Sequence, residues 1–386
     1  MSLQTLGVLH SATEEMLTRV GSNWAQAARP QAPGLMYRAP TGGHMRTAIT
    51  RREFLARSSA GAASLALFQP SVDAAAQAGM FISLPPWAVA RNVPWPEQAR
   101  LAARVGYSGI DWAWGPARQA GVDATRALLA ELNIRPTIVN LPGPNPLTGD
   151  EPAFQARLPQ LEEDAAFAAA IGCHRFQLVL GATTPAGQTR EERRNVVRRR
   201  LAAVSSVLVK HDVRLGLEFL GPLQFRLGRG GGAGRQGAGT ADGPASPATP
   251  LPLPIPFVYT LTETVRLCEE SGENLGATLD AWHWYHSGGT VAEILATDKS
   301  RVVHVHISDA KPMPAEEVRD NMRWLAGEGV IDLVGFLQAL KKIGYDGGVA
   351  PETIGPRIPD DMAPEESARL ALDATTAVMR KAGVLA

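Results

Sequence analysis

The sequence predicts an α/β fold, a (β/α)8 TIM barrel, over about 300 residues. Short apolar runs rich in β-formers alternate eight times with Ala-, Leu- and Arg-rich helical patterns. Such alternation implies parallel strands joined by helical crossovers. No Gly-rich phosphate fingerprint follows the first run, where residues 83–87 read Ser-Leu-Pro-Pro-Trp. This disfavours the alternative, a doubly wound dinucleotide-binding sheet.

The first four strand–helix units are predicted between residues 80 and 211. Apolar runs at 80–84, 108–112, 135–140 and 175–180 predict the strands. The helices are predicted at 95–105, with Pro96 in the first turn, and at 122–132, 152–171 and 189–211. The third repeats Leu158, Leu161 and Ala165 at helical spacing. The fourth is rich in arginine, and we expect a solvated face rather than a nucleic-acid surface.

The last four units are predicted after residue 212. Strands are expected at 213–219, 275–280, 301–308 and 348–352, and helices at 260–271, 291–296, 332–343 and 363–382. Asp332 is placed as an N-cap or first-turn residue. Residues 228–256 are mostly Gly, Pro, Ala, Thr and Ser. Because the alternation resumes afterwards, this segment is interpreted as a flexible insertion in the barrel domain, residues 79–386.

The segment before the barrel resembles an export signal. Arg51 and Arg52 lie in Thr-Arg-Arg-Glu-Phe-Leu, a mildly apolar run covers 58–68, and Ala-Gln-Ala follows at 76–78. We interpret residues 45–78 as a twin-arginine (Tat) signal peptide, which predicts the Tat machinery as a partner and a periplasmic or secreted protein. The apolar run is too short for a stable membrane span. Residues 1–44 are expected to be disordered, or to precede the true start at Met45.

Composition narrows the classes of partner and site. The chain has 386 residues with 38 basic and 38 acidic side chains, so its formal net charge is zero. This argues weakly against a nucleic-acid partner. With only Cys173 and Cys268, the sequence supports neither a disulfide scaffold nor a Cys-based metal site. Two free thiols are expected, with one disulfide as the alternative.

Residues that can bind metal stand at the ends of four successive predicted strands: Glu218, Asp280, His306 and Glu352. In such barrels the active site lies at the carboxyl ends of the strands. Three neighbouring carboxylates repel one another unless a cation lies between them, although each could instead cap a helix. This ligand set favours Mn²⁺, Mg²⁺ or Co²⁺, with Zn²⁺ as an alternative. His304 points to the same side as His306 and is interpreted as a core residue, because His306 is nearer the strand end.

Four motifs follow in the second half of the chain: Asp280-x-x-His283, Val303-His-Val-His-Ile-Ser-Asp309, Gly327-Glu-Gly-Val-Ile-Asp332 and Gly344-Tyr-Asp-Gly-Gly-Val-Ala-Pro-Glu352. Together they resemble the sugar phosphate isomerase/epimerase family, the xylose-isomerase-like barrels. The resemblance covers about residues 80–385. It implies that the four strand-end residues bind one divalent ion, with Mn²⁺ first. It also implies that His283 contacts a sugar hydroxyl or carbonyl, and that Glu218 and Glu352 move a proton through an enediolate.

The chain departs from the ketose 3-epimerase branch in two places. Residues 221–226 lack that branch's further Glu, and Lys311 and Pro312 stand near its Arg. The substrate is therefore expected to differ. Trp112 and Trp282 are candidates for stacking on a sugar, and Asp309 and Arg323 are candidates for polar contacts with it. Arg226 and Lys311 are further candidate cations.

These features predict a metal-dependent sugar isomerase or epimerase acting on a small carbohydrate. The main alternative is a metal-dependent lyase or dehydratase acting on keto-sugars, inososes or oxidised glycosides. A sugar-binding barrel without turnover is a third interpretation. An endonuclease IV-like enzyme is disfavoured because the extra histidines and basic groove that it needs are not evident. The family is often oligomeric, so a homo-oligomer is compatible with the resemblance.

Overall fold

Eight parallel strands close into a barrel in sequence order, which confirms the predicted fold. The computed structural model describes residues 79–228 and 254–385. The proposed signal, the residues before it, and 229–253 of the insertion lie outside these ranges. Pairing of β1 with β8 completes the closed sheet. The strands are β1 Phe81–Leu84, β2 Gly109–Asp111, β3 Arg135–Asn140, β4 Arg175–Leu180, β5 Arg214–Phe219, β6 Leu275–Asp280, β7 Val302–Ile307 and β8 Gly348–Pro351.

Each predicted helix is present, and four short helices were not predicted. The short ones are α1, α3, α7 and α9, which follow β1, β2, β5 and β6. In the part of the chain that the structure describes, no helix combines the length and hydropathy needed to cross a bilayer. The helices are α1 Pro86–Val89, α2 Glu97–Val105, α3 Trp114–Ala120, α4 Val122–Glu131, α5 Glu151–Ala170, α6 Arg190–Leu208, α7 Leu223–Arg226, α8 Leu261–Glu269, α9 Ala281–His286, α10 Val291–Leu295, α11 Leu333–Ile343 and α12 Pro364–Lys381.

The core has an apolar shell around a partly polar barrel interior. Leu215 and Leu217 of β5 are fully buried, and each such leucine contributes about 2 kcal/mol by removal of apolar area from water. Inside the barrel, Ser83 Oγ lies 2.9 Å from Thr137 Oγ1, within hydrogen-bonding distance. Gly348 leaves room for this layer, because a Cβ there would lie 2.4 Å from Thr137 Cγ2 and 3.3 Å from His304 Cε1. The interior therefore supports polar groups directly below the rim.

The arginine-rich helix α6 is only partly solvated, which corrects the prediction for two of its residues. Arg193 and Arg200 are buried. Arg193 Nη1 donates to the carbonyl of Leu147 at 2.8 Å, and Arg200 Nη1 donates to that of Thr148 at 2.9 Å. Both carbonyls belong to the loop between β3 and α5. These arginines therefore fix a loop at the rim of the barrel.

A buried carboxylate ties α3 to α5 on the same side of the barrel. Asp164 Oδ1 accepts from Arg118 Nη1 at 2.9 Å, and its Oδ2 accepts from Arg157 Nη2 at 2.8 Å. Its side chain is only 4% exposed, whereas the neighbouring Glu163, which also contacts Arg118, is 66% exposed. Because water cannot replace the buried partner, Asp164 carries most of this link.

We expect Asp164→Ala to lower the free energy of unfolding by about 3 kcal/mol, because it leaves Arg157 without a carboxylate partner in a buried site. Glu163→Ala, the matched control, should change it by less than about 0.5 kcal/mol. Urea titrations of the two variants followed by circular dichroism measure both values. Equal losses would contradict the role given to Asp164.

Candidate metal and substrate site

Four side chains from the carboxyl ends of β5 to β8 converge at one point of the rim. They are Glu218, Asp280, His306 and Glu352, and one ligand atom of each lies within 4.8 Å of the others. All four are buried, with at most 5% exposure. The strand register brings them together, since Asp280 pairs with His306 across β6 and β7. The predicted set is thus adjacent in space, while its role as ligands stays a prediction.

The spacing of these atoms fits a bound ion. His306 Nδ1 lies 2.9 Å from Glu218 Oε1 and 2.7 Å from Glu352 Oε2. Neighbouring ligands of an ion with bonds of about 2.1 Å are themselves about 3 Å apart in octahedral geometry. Oxygen and imidazole donors suit a divalent cation of intermediate hardness. The cluster, which we call the rim cluster, therefore fits one divalent metal ion.

Arg323 is enclosed beside the rim cluster and was expected to bind substrate. Its Nη1 lies 2.7 Å from Asp280 Oδ2 and 3.1 Å from Glu352 Oε2, and its Nη2 donates to Asp320 Oδ1 at 2.8 Å. The Nε also donates to Asp320, at 3.2 Å. All three nitrogens thus contact carboxylates, and the side chain is 1% exposed. Arg323 thus positions two of the four cluster carboxylates, and its contact with substrate stays a prediction.

For each of three cluster residues, burial and the neighbouring charges shift the pKa in opposite directions. Burial disfavours the charged form of Asp280, yet Arg323 and His283 hold its pKa at about 2. Burial raises the pKa of Glu352 to about 7, despite Arg323 and His306. Burial alone would lower the pKa of His306, but Glu352 and Glu218 raise it well above 6.5. The cluster therefore retains protons near neutrality that a metal ion would have to displace.

Asp280 also begins α9, the helix that carries the aromatic residues after β6. Its Oδ1 accepts from the backbone N–H of Trp282 at 2.8 Å, so it caps the helix as well as joining the cluster. Trp282 is fully buried, and its ring packs 4.4 Å from that of His286. Its stacking on a sugar stays a prediction. His283 Nε2 lies 3.3 Å from Arg323 Nη2, and its contact with substrate stays a prediction.

Asp309, a predicted substrate contact, is bound to backbone groups of a nearby loop, and its contact with substrate stays a prediction. Its Oδ1 accepts from the N–H groups of Ala310 and Ile331, at 2.8 and 3.0 Å. Its Oδ2 accepts from those of Gly327 and Gly329, at 3.0 and 2.9 Å. Four backbone donors thus surround one buried carboxylate. Asp309 folds the loop that follows Arg323.

A second buried group lies beside the rim cluster and was not predicted. Asp111, at the end of β2, accepts from Ser83 Oγ at 2.7 Å. Its Oδ2 lies 3.4 Å from His304 Nε2 and 4.0 Å from His306 Nε2. His304 is fully buried, as expected of a core histidine, and burial lowers its pKa. The search for acidic residues at strand ends covered only the last four strands. Extended to β2, it would also have found Asp111.

A cavity of about 570 Å³ opens at the ends of β1, β2 and β3, next to this group. Trp87, Asp111 and Trp112 line it. The ring centroids of Trp87 and His306 are 6.0 Å apart, which places the cavity against the rim cluster. Trp112 donates its indole N–H to Cys173 Sγ at 3.0 Å; both Cys173 and Cys268 are free and buried, as expected. Trp112 thus lines the cavity, and its contact with a sugar stays a prediction.

We expect Asp309→Ala to lower the free energy of unfolding by about 3 kcal/mol or more, because it deprives four N–H groups of their acceptor. Asp332→Ala removes one N-cap acceptor of α11, for Gly335 N, and should cost about 1 kcal/mol. Guanidinium titrations followed by tryptophan fluorescence compare the two. A loss at Asp309 no larger than that at Asp332 would overturn the structural role.

The chain is similar in sequence and in fold to several known proteins. An inosose isomerase from Halalkalibacterium halodurans is 30% identical over 181 residues, which is 47% of this chain. The aligned region spans 53%, about half, of that relative's length. A xylose isomerase domain protein from Alicyclobacillus acidocaldarius has a TM-score of 0.66 and 26% identity, covering 79% of this chain and 99% of its own.

The IolI protein, solved with a binding zinc atom, has a TM-score of 0.62 and 20% identity, covering 78% of this chain and 99% of its own, and shows the shared fold. Residues 99–377 match the family model described as a xylose isomerase-like TIM barrel. Because this match covers more than half of the chain, the protein belongs to the xylose isomerase-like TIM barrel family.

Proposed function

We propose that the protein is a metal-dependent isomerase or epimerase that acts on a sugar or related cyclic polyol. The observation that carries this proposal is the rim cluster, in which Glu218 and Glu352 flank the same nitrogen of His306. The inosose isomerase relative supports the same class of reaction. We infer that Glu218, Asp280, His306 and Glu352 hold one divalent ion, with Mn²⁺ first and Mg²⁺, Co²⁺ or Zn²⁺ as alternatives.

A divalent ion at this position would supply polarisation of a substrate carbonyl. The chain itself supplies two carboxylates for proton transfer. In this proposal one of Glu218 and Glu352 takes the proton from the carbon beside the carbonyl, and the other returns a proton to the resulting enediolate. Because both side chains are buried, solvent protons reach the reacting carbon mainly through these two carboxyl groups.

The groups around the pair keep it in place. Arg323 holds Glu352 through a 3.1 Å ion pair and Asp280 through a 2.7 Å pair. A bound cation would favour the ionised form of Glu352, which is the form that accepts a proton. His283 has no hydrogen-bond partner for Nδ1 among the described residues, and we propose that it contacts a substrate hydroxyl.

Solvent deuterium exchange tests the proton-transfer role directly. The wild-type protein loaded with Mn²⁺ should introduce deuterium from D₂O beside the carbonyl of an inosose or a free ketose. Glu352→Gln should slow this at least about 100-fold, because a carboxamide cannot take up the proton. Glu328→Gln, which alters a partly exposed partner of Arg357, is the control and should retain the wild-type rate.

Nuclear magnetic resonance follows both the exchange and the products. Elimination products without epimer formation would favour the lyase alternative, and full exchange by Glu352→Gln would remove that residue from the mechanism. Absence of exchange with a wide set of ketoses would favour a sugar-binding barrel.

Metal binding should weaken as the pH falls. The raised pKa values of Glu352 and His306 mean that an incoming ion displaces protons from the cluster. We therefore expect the apparent affinity for Mn²⁺ to fall by up to about tenfold per pH unit for each displaced proton between pH 8 and 6. Isothermal titration calorimetry in buffers of different ionisation enthalpy counts those protons. A pH-independent affinity would contradict this account of the cluster.

We also propose that the protein is exported by the twin-arginine route, on the basis of Arg51 and Arg52 and the run that follows them. Replacing both arginines by lysine should leave the protein in the cytoplasm of its native host. Cell fractionation with an antibody to the barrel measures the distribution. Equal distribution of the variant and the wild type would reject the proposal.

A further inference from the structure

We infer that the cavity at the ends of β1 to β3 binds a second ring of the substrate, so that the natural substrate is a glycoside or disaccharide whose reacting ring carries the carbonyl group, rather than a single cyclitol or free monosaccharide. This inference rests on the proposed function, which assigns the reacting ring to the rim cluster. It adds the class of group attached to that ring and the residues that recognise it.

The cavity adjoins the rim cluster but is built by other strands. Its wall includes Trp87, whose ring centroid lies 6.0 Å from that of His306. It also includes Asp111, whose Oδ2 lies 4.0 Å from His306 Nε2. The cluster residues come from β5 to β8, and none of them lines the cavity. A ring held at the cluster can therefore extend its substituent towards β1 to β3.

The size of the cavity exceeds the needs of one ring. Its volume of about 570 Å³ is in the middle of the range of roughly 300–1,000 Å³ for pockets that enclose drug-sized ligands. A single six-membered ring would leave much of the aromatic wall uncovered. A second ring would bury that wall and remove its apolar surface from water.

The lining combines aromatic faces with exposed amide side chains. Trp87 is 38% exposed, an unusual degree for so large an aromatic side chain, while Trp112 and Trp114 form a pair with centroids 5.2 Å apart. Asn92 and Asn140 also line the cavity, and both are exposed, so their amide oxygens offer acceptors. Acceptors of this kind are completed by hydroxyl donors, and aromatic rings pack on the C–H face of a sugar.

The charge of the wall indicates a neutral ligand. Arg91, the cation of the lining, already forms an ion pair with Asp360 and donates to the carbonyl of Ile358 at 3.0 Å. Asp111 adds a negative charge near the cluster. A phosphate would meet this carboxylate without a free guanidinium to bind it. A neutral glycoside meets the acceptors with its hydroxyl groups instead.

Paired glycosides test the inference without turnover. Isothermal titration calorimetry on the Mn²⁺-loaded protein compares methyl and phenyl glucosides of both anomers. The wild type should bind one phenyl glucoside at least about tenfold more tightly than its methyl counterpart, and Trp87→Ala should abolish that preference. Trp87→Phe should retain most of it. Val209→Ala is the control, since that side chain is 58% exposed in the turn before β5, at the amino end of the strands.

Three results would overturn the inference: equal affinities in the wild type, no binding of any of the glucosides, or a preference that persists in Trp87→Ala. Thermal melting checks that each variant is folded. The result of these titrations can be distinguished from the result of the deuterium-exchange test of the proposed function. A Trp87-dependent preference without deuterium exchange on any ketose would leave the second-ring site standing and reject the isomerase. Deuterium exchange on a one-ring inosose, without a preference for a phenyl glucoside, would support the isomerase and reject the second-ring site.

Discussion

The structure depends on the burial of several like charges at one end of the barrel. Glu218, Asp280, Glu352 and Asp320 meet there, and Arg323 is the cation that contacts three of them. One guanidinium cannot neutralise four carboxylates, and unpaired buried charges are costly. Two outcomes relieve the imbalance: proton uptake, which the raised pKa of Glu352 reflects, or a divalent cation. The parallel barrel makes this imbalance unavoidable, because it brings successive strand ends to one rim.

Several interactions away from the cluster act on the loops that enclose it. Arg193 and Arg200 hold the loop after β3 through its carbonyls. Asp309 gathers four N–H groups of the loop that follows Arg323. Asp164 fixes α3 beside the aromatic cavity. Irregular segments have no ladder to satisfy their backbone groups, so buried charged side chains supply the partners. The wall and the cluster are thus stabilised by the same kind of interaction.

The fold and the meeting of four side chains at the ends of β5 to β8 could be predicted from the sequence. The period of the apolar pattern and the order of the strands show where each strand ends, and this needs no knowledge of side-chain direction. Asp280 and His306 meet as expected for that reason. The contacts of Trp282, Asp309 and Arg323 could not be predicted in the same way, because they depend on orientation in irregular segments. Trp282 turns inwards on a short helix that begins at Asp280. Asp309 lies beyond the last residue of β7, where alternation no longer indicates direction.

We propose that one divalent ion lies among Glu218, Asp280, His306 and Glu352. Anomalous diffraction at the manganese edge, from crystals grown with Mn²⁺, locates such an ion. We expect one strong peak per chain, within about 2.0–2.4 Å of one donor atom from each of the four residues. No peak at the cluster, or a peak at another site with Arg323 still bridging Asp280 and Glu352, would contradict it.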